Sequence, residues 1–188
     1  MTRTVGVFVG SLRSGAHTRK VARVLAELAP GNLSLEVVEI GQLPLYNPDF
    51  DGADPPAAWT AFRERVKPLD ALLFVTPEYN RSIPSALKNA LDVGSRPAKQ
   101  GAWDGKPGAV VSVSPGALGA FGAHHHLRQV LAHLNVATLA QPEIYLGGVA
   151  DLLDESGALT KDSTRALLTR FLATFAVWIE RNPAPGRS

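Results

Sequence analysis

The sequence predicts an α/β fold, a doubly wound five-stranded parallel sheet with helices on both faces. Two observations carry this. Short β-branched, apolar runs alternate along the chain with longer segments whose apolar residues recur at helical spacing, and each such crossover lays its helix on one face of a parallel sheet. The first run, residues 4–10, is also continuously β-branched and apolar and ends in glycine, as a strand covered on both sides is.

Residues 4–10 read as the first, central strand, ending in Gly10. A helix follows over 19–28, with Val21, Val24, Leu25 and Leu28 at helical spacing and Pro30 and Gly31 closing it. Residues 34–40 form the second strand, 57–66 the second helix and 71–76 the third strand. Ser82 is expected to cap a third helix reaching about residue 93, with Pro84 placed where no amide is needed. The fourth strand spans 108–114, the fourth helix 119–134, and a fifth strand lies within 136–145. The last helix, over 161–181, carries Leu167, Leu168, Phe171, Leu172, Phe175, Trp178 and Ile179 on a broad apolar face. No repeat, low-complexity block or dividing linker interrupts this order, so residues 1–182 are expected to form one domain and 183–188 a disordered tail.

Composition narrows the chemistry. The chain has 188 residues, 45% of them hydrophobic and 19% charged, with a formal net charge of +2; this is enough for a core, and there is no polybasic footprint for nucleic acid. With no cysteine, disulfides, thiolate metal sites, thiol nucleophiles and iron–sulfur clusters are excluded, and any redox chemistry must be borrowed from a cofactor. The apolar stretch 5–9 is far shorter than the roughly 18 residues of a membrane span and lacks the long centre of a signal peptide. The expectation is a cytoplasmic protein without membrane or nucleic-acid partners.

Ligands of an open parallel sheet gather at the carboxyl ends of its strands, near the point where strand order reverses. That directs attention to the loops after strands one, three and four. The first reads GSLRSGAHTR from Gly10: small residues let backbone amides converge on a helix start, and Ser11, Ser14 and Thr18 with Arg13 can complete a phosphate cradle. It lacks the Lys-Ser/Thr pair of a Walker loop and the Gly-x-Gly-x-x-Gly of a dinucleotide fold, so a single phosphomonoester fits better than a pyrophosphate. Read alone, its hydroxyls could equally be turn and cap residues. The third-strand loop, TPEYNRSIP from Thr76, offers proline-stiffened walls and backbone groups for a flat heteroaromatic ring, or simply a rigid turn with an exposed tyrosine. The fourth, SPGALG from Ser114, permits close approach of backbone to a planar edge, a weak signal by itself.

Together GSLRSGAHTRKVA from Gly10, LPLYNPDF from Leu43, TPEYNRSIPSALKNALD from Thr76 and SPGALGA from Ser114 closely resemble the NADPH-dependent FMN reductase family, which includes quinone, chromate and azo reductases. The resemblance runs to about residue 181 and is most specific over 76–92. It implies a flavodoxin-like sheet of order 2-1-3-4-5 and FMN as cofactor, with the phosphate on Ser11, Arg13 and Thr18. The isoalloxazine ring would lie against Pro77, Glu78, Tyr79 and Asn80, with its outer edge near Ser114 and Gly116. The family usually has serine and asparagine where this chain has Ala16 and Thr18, so its phosphate contacts are expected to be weaker or differently arranged. Residues 43–50 resemble a loop near the flavin and subunit contacts, where Tyr46 and Asn47 could form a lid or Tyr46 could simply pack.

On this reading NADPH or NADH reduces FMN and leaves, and a quinone, free flavin, azo dye or chromate then takes its place. This ping-pong exchange has no catalytic side chain, because flavin carries the chemistry. One-sided burial of a flavin, and the family resemblance, lead to the expectation of a homodimer or homotetramer. Two other classes compete: a flavodoxin-type electron carrier without its own acceptor site, and a phosphate-binding regulatory domain without flavin, which would be colourless.

Some residues invite other chemistry. His124, His125 and His126 are successive on a helix and point about 100° apart, so they cannot converge on one ion, and solvated or interface roles are expected. Asp49, Asp51 and Asp54 are expected to be solvated loop acids. Ser11 sits in no Gly-x-Ser-x-Gly elbow, which argues against a serine nucleophile.

Overall fold

The computed structural model describes residues 1–186. Its strands are β1 (Arg3–Val9), β2 (Leu33–Val37), β3 (Ala71–Thr76) and β4 (Pro107–Val113), followed by the short β5 (Ala137–Thr138) and β6 (Ile144–Leu146). The helices are α1 (His17–Leu28), α2 (Ala57–Val66), α3 (Ser85–Gly94), α4 (Phe121–His133) and α5 (Asp162–Arg181). All pairings are parallel and the order is β2-β1-β3-β4-β5, with β6 also on β4. This is the flavodoxin-like order expected from the sequence.

The fifth position is shared. β5 pairs with Pro107 and Gly108 at the start of β4, and β6 pairs with Val111, Ser112 and Val113 at its end. Between them lies Pro142, which has no amide for a ladder, so the single fifth strand expected within 136–145 becomes two pieces on one edge.

Side chains alternate across the sheet and build two cores. Val5, Val7, Val9, Leu73, Val75, Val111 and Val113 face α1 and α5, where Val21, Leu25, Leu168, Phe171, Leu172 and Phe175 meet them. Phe8, Leu72, Phe74 and Val110 face α2, α3 and α4. In this second layer Phe8 stacks on Phe74 at 5.2 Å and meets Trp103 edge-on at 5.1 Å. The Trp103 indole donates to the Leu91 carbonyl at 2.9 Å, so its polar atom is satisfied in the core.

Three details differ from the sequence expectation. α1 begins at His17, two residues early, and brings Thr18 into its first turn. Ser82 does not cap α3: Pro84 holds that position, and the Ser82 hydroxyl instead pairs with His126 Nδ1 at 2.8 Å. The cause is the closed turn before it, where Tyr79 and Ser82 exchange two backbone hydrogen bonds of 2.9 Å while Asn80 and Arg81 take positive φ, turning Ser82 toward α4. Asp51 is not solvated; Arg63 grips both its oxygens at 2.8 and 2.7 Å, with both side chains buried. That pair holds the Asp51 carboxyl below the usual carboxylate range.

Within the segment expected to be a tail, Ala184 is buried and a Cβ at Gly105 would lie 2.8 Å from Pro185; Arg187 and Ser188 lie outside the described residues. Among the described residues no helix is long and apolar enough to cross a membrane.

Candidate active site

β1, β3 and β4 are in register, with Val9 opposite Val75 and Thr76 opposite Ser112, so their carboxyl ends emerge on one rim. The first and third loops meet there. A Cβ on Gly10 would stand 3.0 Å from Pro77 and 3.4 Å from Pro84, so glycine allows the two chains to approach this closely. A cleft of about 310 Å³ between them is lined by Gly10, Leu12, Arg13, Tyr79, Pro84, Ser85 and Ala86.

The first loop ends in a helix start that nothing of its own fills. Ala16 at the N-cap has no side chain to accept from the first amides of α1, and the first turn carries no acid, leaving a set of donors and the positive helix end. Thr18 is 1% exposed, and its Oγ1 has no hydrogen-bond partner; His17 Nδ1 beside it is likewise buried and unpartnered. The large majority of buried side-chain polar atoms in native proteins are satisfied, so an orphan hydroxyl at an uncapped helix end calls for a ligand or a water. Ser11 is buried, with its Oγ 3.4 Å from the Arg13 amide. Arg13 is exposed. The donors, the orphan hydroxyl and the guanidinium are the set a dianionic phosphate requires, and in this respect the residues fit FMN.

The third loop presents Tyr79, 46% exposed, with Pro77 half-buried and Asn80 exposed. Glu78 behaves otherwise. Its Oε2 accepts from the Ala123 amide at 3.0 Å and its Oε1 from Arg81 at 2.9 Å, so its side chain is committed to the start of α4. In the fourth loop the Ser114 hydroxyl donates to the Gly116 carbonyl at 3.0 Å, and the Ser114 amide to Leu146 at 3.0 Å, which anchors the loop to β6. The structure therefore joins the third loop to the first turn of α4 through Glu78, and the third loop to the first across the cleft.

The histidines part company, as their angular spacing requires, but not all toward solvent. His124 is fully buried beneath the fourth loop. The Ser112 hydroxyl donates to the Gly119 carbonyl at 2.7 Å, and His124 Nδ1 lies 3.3 Å from that hydroxyl. Burial first, then the nearby Arg128 charge, push His124 down to about 4, so the ring is neutral. His125 Nε2 contacts the Tyr145 hydroxyl at 3.0 Å, and that hydroxyl donates to Glu143 at 2.7 Å. Burial and then the Glu143 acceptor push Tyr145 up to about 12. Sequence alone does not reveal these contacts, because the groups meet only where Tyr145 of β6 lies beside α4.

A groove of about 860 Å³ runs between α3 and α4 past Lys88, Asp92, His126 and His133. It contains none of the predicted cofactor residues, and the donors suited to phosphate lie elsewhere, at the start of α1.

Residues 3–151 match the family model described as NADPH-dependent FMN reductase. A quinone reductase of Pseudomonas putida is 57% identical over 181 residues, covering 96% of this chain and 97% of that one. The solved structure of FerB, a flavoenzyme NAD(P)H:(acceptor) oxidoreductase from Paracoccus denitrificans, superposes with a TM-score of 0.91 at 40% identity, covering 97% of this chain and 100% of that one. A flavodoxin variant from Pseudomonas aeruginosa shares the fold, with a TM-score of 0.57 at 20% identity over 94% of this chain and 99% of its own. With the family match spanning most of its length, the chain belongs to the NADPH-dependent FMN reductase family, and is an oxidoreductase with FMN as cofactor and NADPH or NADH as co-substrate.

Proposed function

We propose that this enzyme takes reducing equivalents from NADPH or NADH and delivers them to a quinone in a ping-pong exchange, with free flavin, azo dyes and chromate as further acceptors. The printed names of the relatives, quinone reductase and NAD(P)H:(acceptor) oxidoreductase, support this class of acceptor. When bound, FMN supplies the two-electron chemistry, taking hydride from the nicotinamide and giving up electrons to the acceptor. The protein's part is to bind and orient. Ser11, Arg13 and Thr18 hold the phosphate, Pro77, Tyr79, Asn80 and the Glu78 backbone line the ring, and Ser114 and Gly116 border its outer edge. On this reading the reaction needs no activated nucleophile from the protein.

The single observation behind the cofactor assignment is the unpartnered, buried Thr18 hydroxyl at the uncapped start of α1. The exposed apolar side chains of Leu12, Tyr79, Leu118 and Phe121 on the same rim support a homodimer or homotetramer; sedimentation as a monomer at assay concentration would contradict that. The cytoplasm, where reduced nicotinamide nucleotide is maintained, is the proposed compartment, and residues 1–182 the proposed domain.

The test is purification followed by steady-state kinetics. The protein is expected to be yellow, to release a fluorescent flavin on denaturation, and to give parallel double-reciprocal lines with NADPH and a benzoquinone. A colourless protein that cannot be loaded with FMN would overturn the cofactor assignment, and intersecting lines the exchange scheme.

A further inference from the structure

The start of α4 is capped by a residue 45 positions away. Ala120, at the N-cap, takes a left-handed conformation with φ of 61° and supplies no acceptor of its own. Three residues on, the Ala123 amide donates to Glu78 Oε2 at 3.0 Å, the position at which a capping side chain normally acts. A carboxylate there also meets the positive end of the helix. The approach is so close that a Cβ on Gly122 would lie 2.9 Å from Glu78 Oε2 and 3.2 Å from the Arg81 carbonyl. One turn later on the same helix face, His126 Nδ1 pairs with the Ser82 hydroxyl at 2.8 Å. The closed turn 79–82 is thus fixed to α4 at both ends.

From this we infer that Glu78 is a positioning residue: its side chain locks the third and fourth loops into one unit and so sets the width of the slot for the flavin ring, without touching the ring. This rests on the FMN assignment above. The loop 114–120 joins β4 to α4 and is anchored to the sheet edge by the Ser114 amide on Leu146, by the Gly148 amide on the Gly116 carbonyl and by the Ser112 hydroxyl on the Gly119 carbonyl; Glu78 adds the tie between the third loop and the first turn of α4, into which this loop runs. What matters is the acceptor oxygen and its position. The negative charge is secondary, because the Arg81 guanidinium already balances it at 2.9 Å.

The experiment compares Glu78→Gln, Glu78→Ala and Gly122→Ala with the parent, first without flavin and then with it. Glu78→Gln keeps an acceptor oxygen and is expected to leave amide exchange at residues 121–124 of the flavin-free protein, FMN affinity and the visible circular dichroism of bound FMN near parental values. Glu78→Ala is expected to speed exchange at those amides, weaken FMN by about tenfold and change the flavin dichroism, a loss in line with removal of a helix cap. Gly122→Ala, which pushes the carboxylate away while retaining it, is expected to reproduce this and serves if Glu78→Ala fails to fold. Parental exchange and dichroism in Glu78→Ala, or in Gly122→Ala where Glu78→Ala does not fold, would overturn the inference. So would a Glu78→Gln as damaged as Glu78→Ala, since charge would then be the operative property. Failure of the parent to bind FMN would instead strike the cofactor assignment, while the exchange arm would still test the lock in the flavin-free protein.

Discussion

In the proposed cofactor site, Thr18 is a side chain that is costly in the empty protein and useful in the loaded one. Its hydroxyl is buried without a partner, and an unmade hydrogen bond of this kind costs about 1–3 kcal/mol. Thr18→Val keeps the shape and removes the orphan. The flavin-free variant is therefore expected to be more stable than the parent, by about 1 kcal/mol in a denaturant titration, while FMN affinity falls about tenfold for want of a hydrogen bond to a charged oxygen. A variant with both properties unchanged would show that the hydroxyl does not face the phosphate. The position of Ser11, Arg13 and Thr18 between β1 and the first turn of α1 was legible in the sequence, because they follow the central strand directly and local geometry decides their place. The side-chain role of Glu78 was not legible. Its partner, the Ala123 amide, is distant in sequence, and nothing in TPEYN says whether the carboxylate turns to the ring or to a helix. The burial of His124 depended in the same way on the rotation of α4 against β4.

The elements around the site are tuned by such contacts, and α4 carries one that responds to pH. His124 is packed under the fourth loop with Ser112 and the Tyr145 ring, and the charged or titratable groups near it are Arg128, Glu143 and His125. Its folded value, about 4, lies below the ordinary value of about 6.5, so between these the unfolded chain binds more protons than the native one. Stability therefore rises with pH across this window: the contribution of the neutral ring is whole above about pH 6.5 and is lost as pH falls through about 4. The expected loss is on the order of 3 kcal/mol. Denaturant titrations at pH 7 and pH 4.5 should show a smaller loss of stability in His124→Gln than in the parent; equal losses would place the acid sensitivity elsewhere. Among the elements themselves, alternation of apolar runs and amphipathic segments was enough to locate β1 to β4 and α1 to α5. The split of the last edge strand was written only in Pro142, whose effect on a ladder is clear once β4 is known to be its neighbour. The segment after β2 was the least legible, because what fixes it comes from other elements: Asn89 holds the Tyr46 amide at 2.8 Å, and Arg63 holds Asp51.

At the scale of the whole molecule, parallel topology does the work. A sheet of order β2-β1-β3-β4-β5 brings the ends of β1, β3 and β4 to one rim, so loops that begin at residues 10, 77 and 114 become neighbours although the sequence separates them widely. Each loop then contributes something different: an uncapped helix start and an orphan hydroxyl, an exposed aromatic wall, and a glycine-rich edge braced by β6. The central claim is that these three loops hold one flat, singly phosphorylated molecule. It is tested most directly by a crystal structure of the protein soaked with FMN. The account expects the phosphate on the Thr18 hydroxyl, Ser11 and Arg13 at the start of α1, with the ring between the third and fourth loops. An empty rim at saturating FMN, or FMN seated in the groove between α3 and α4, would contradict it.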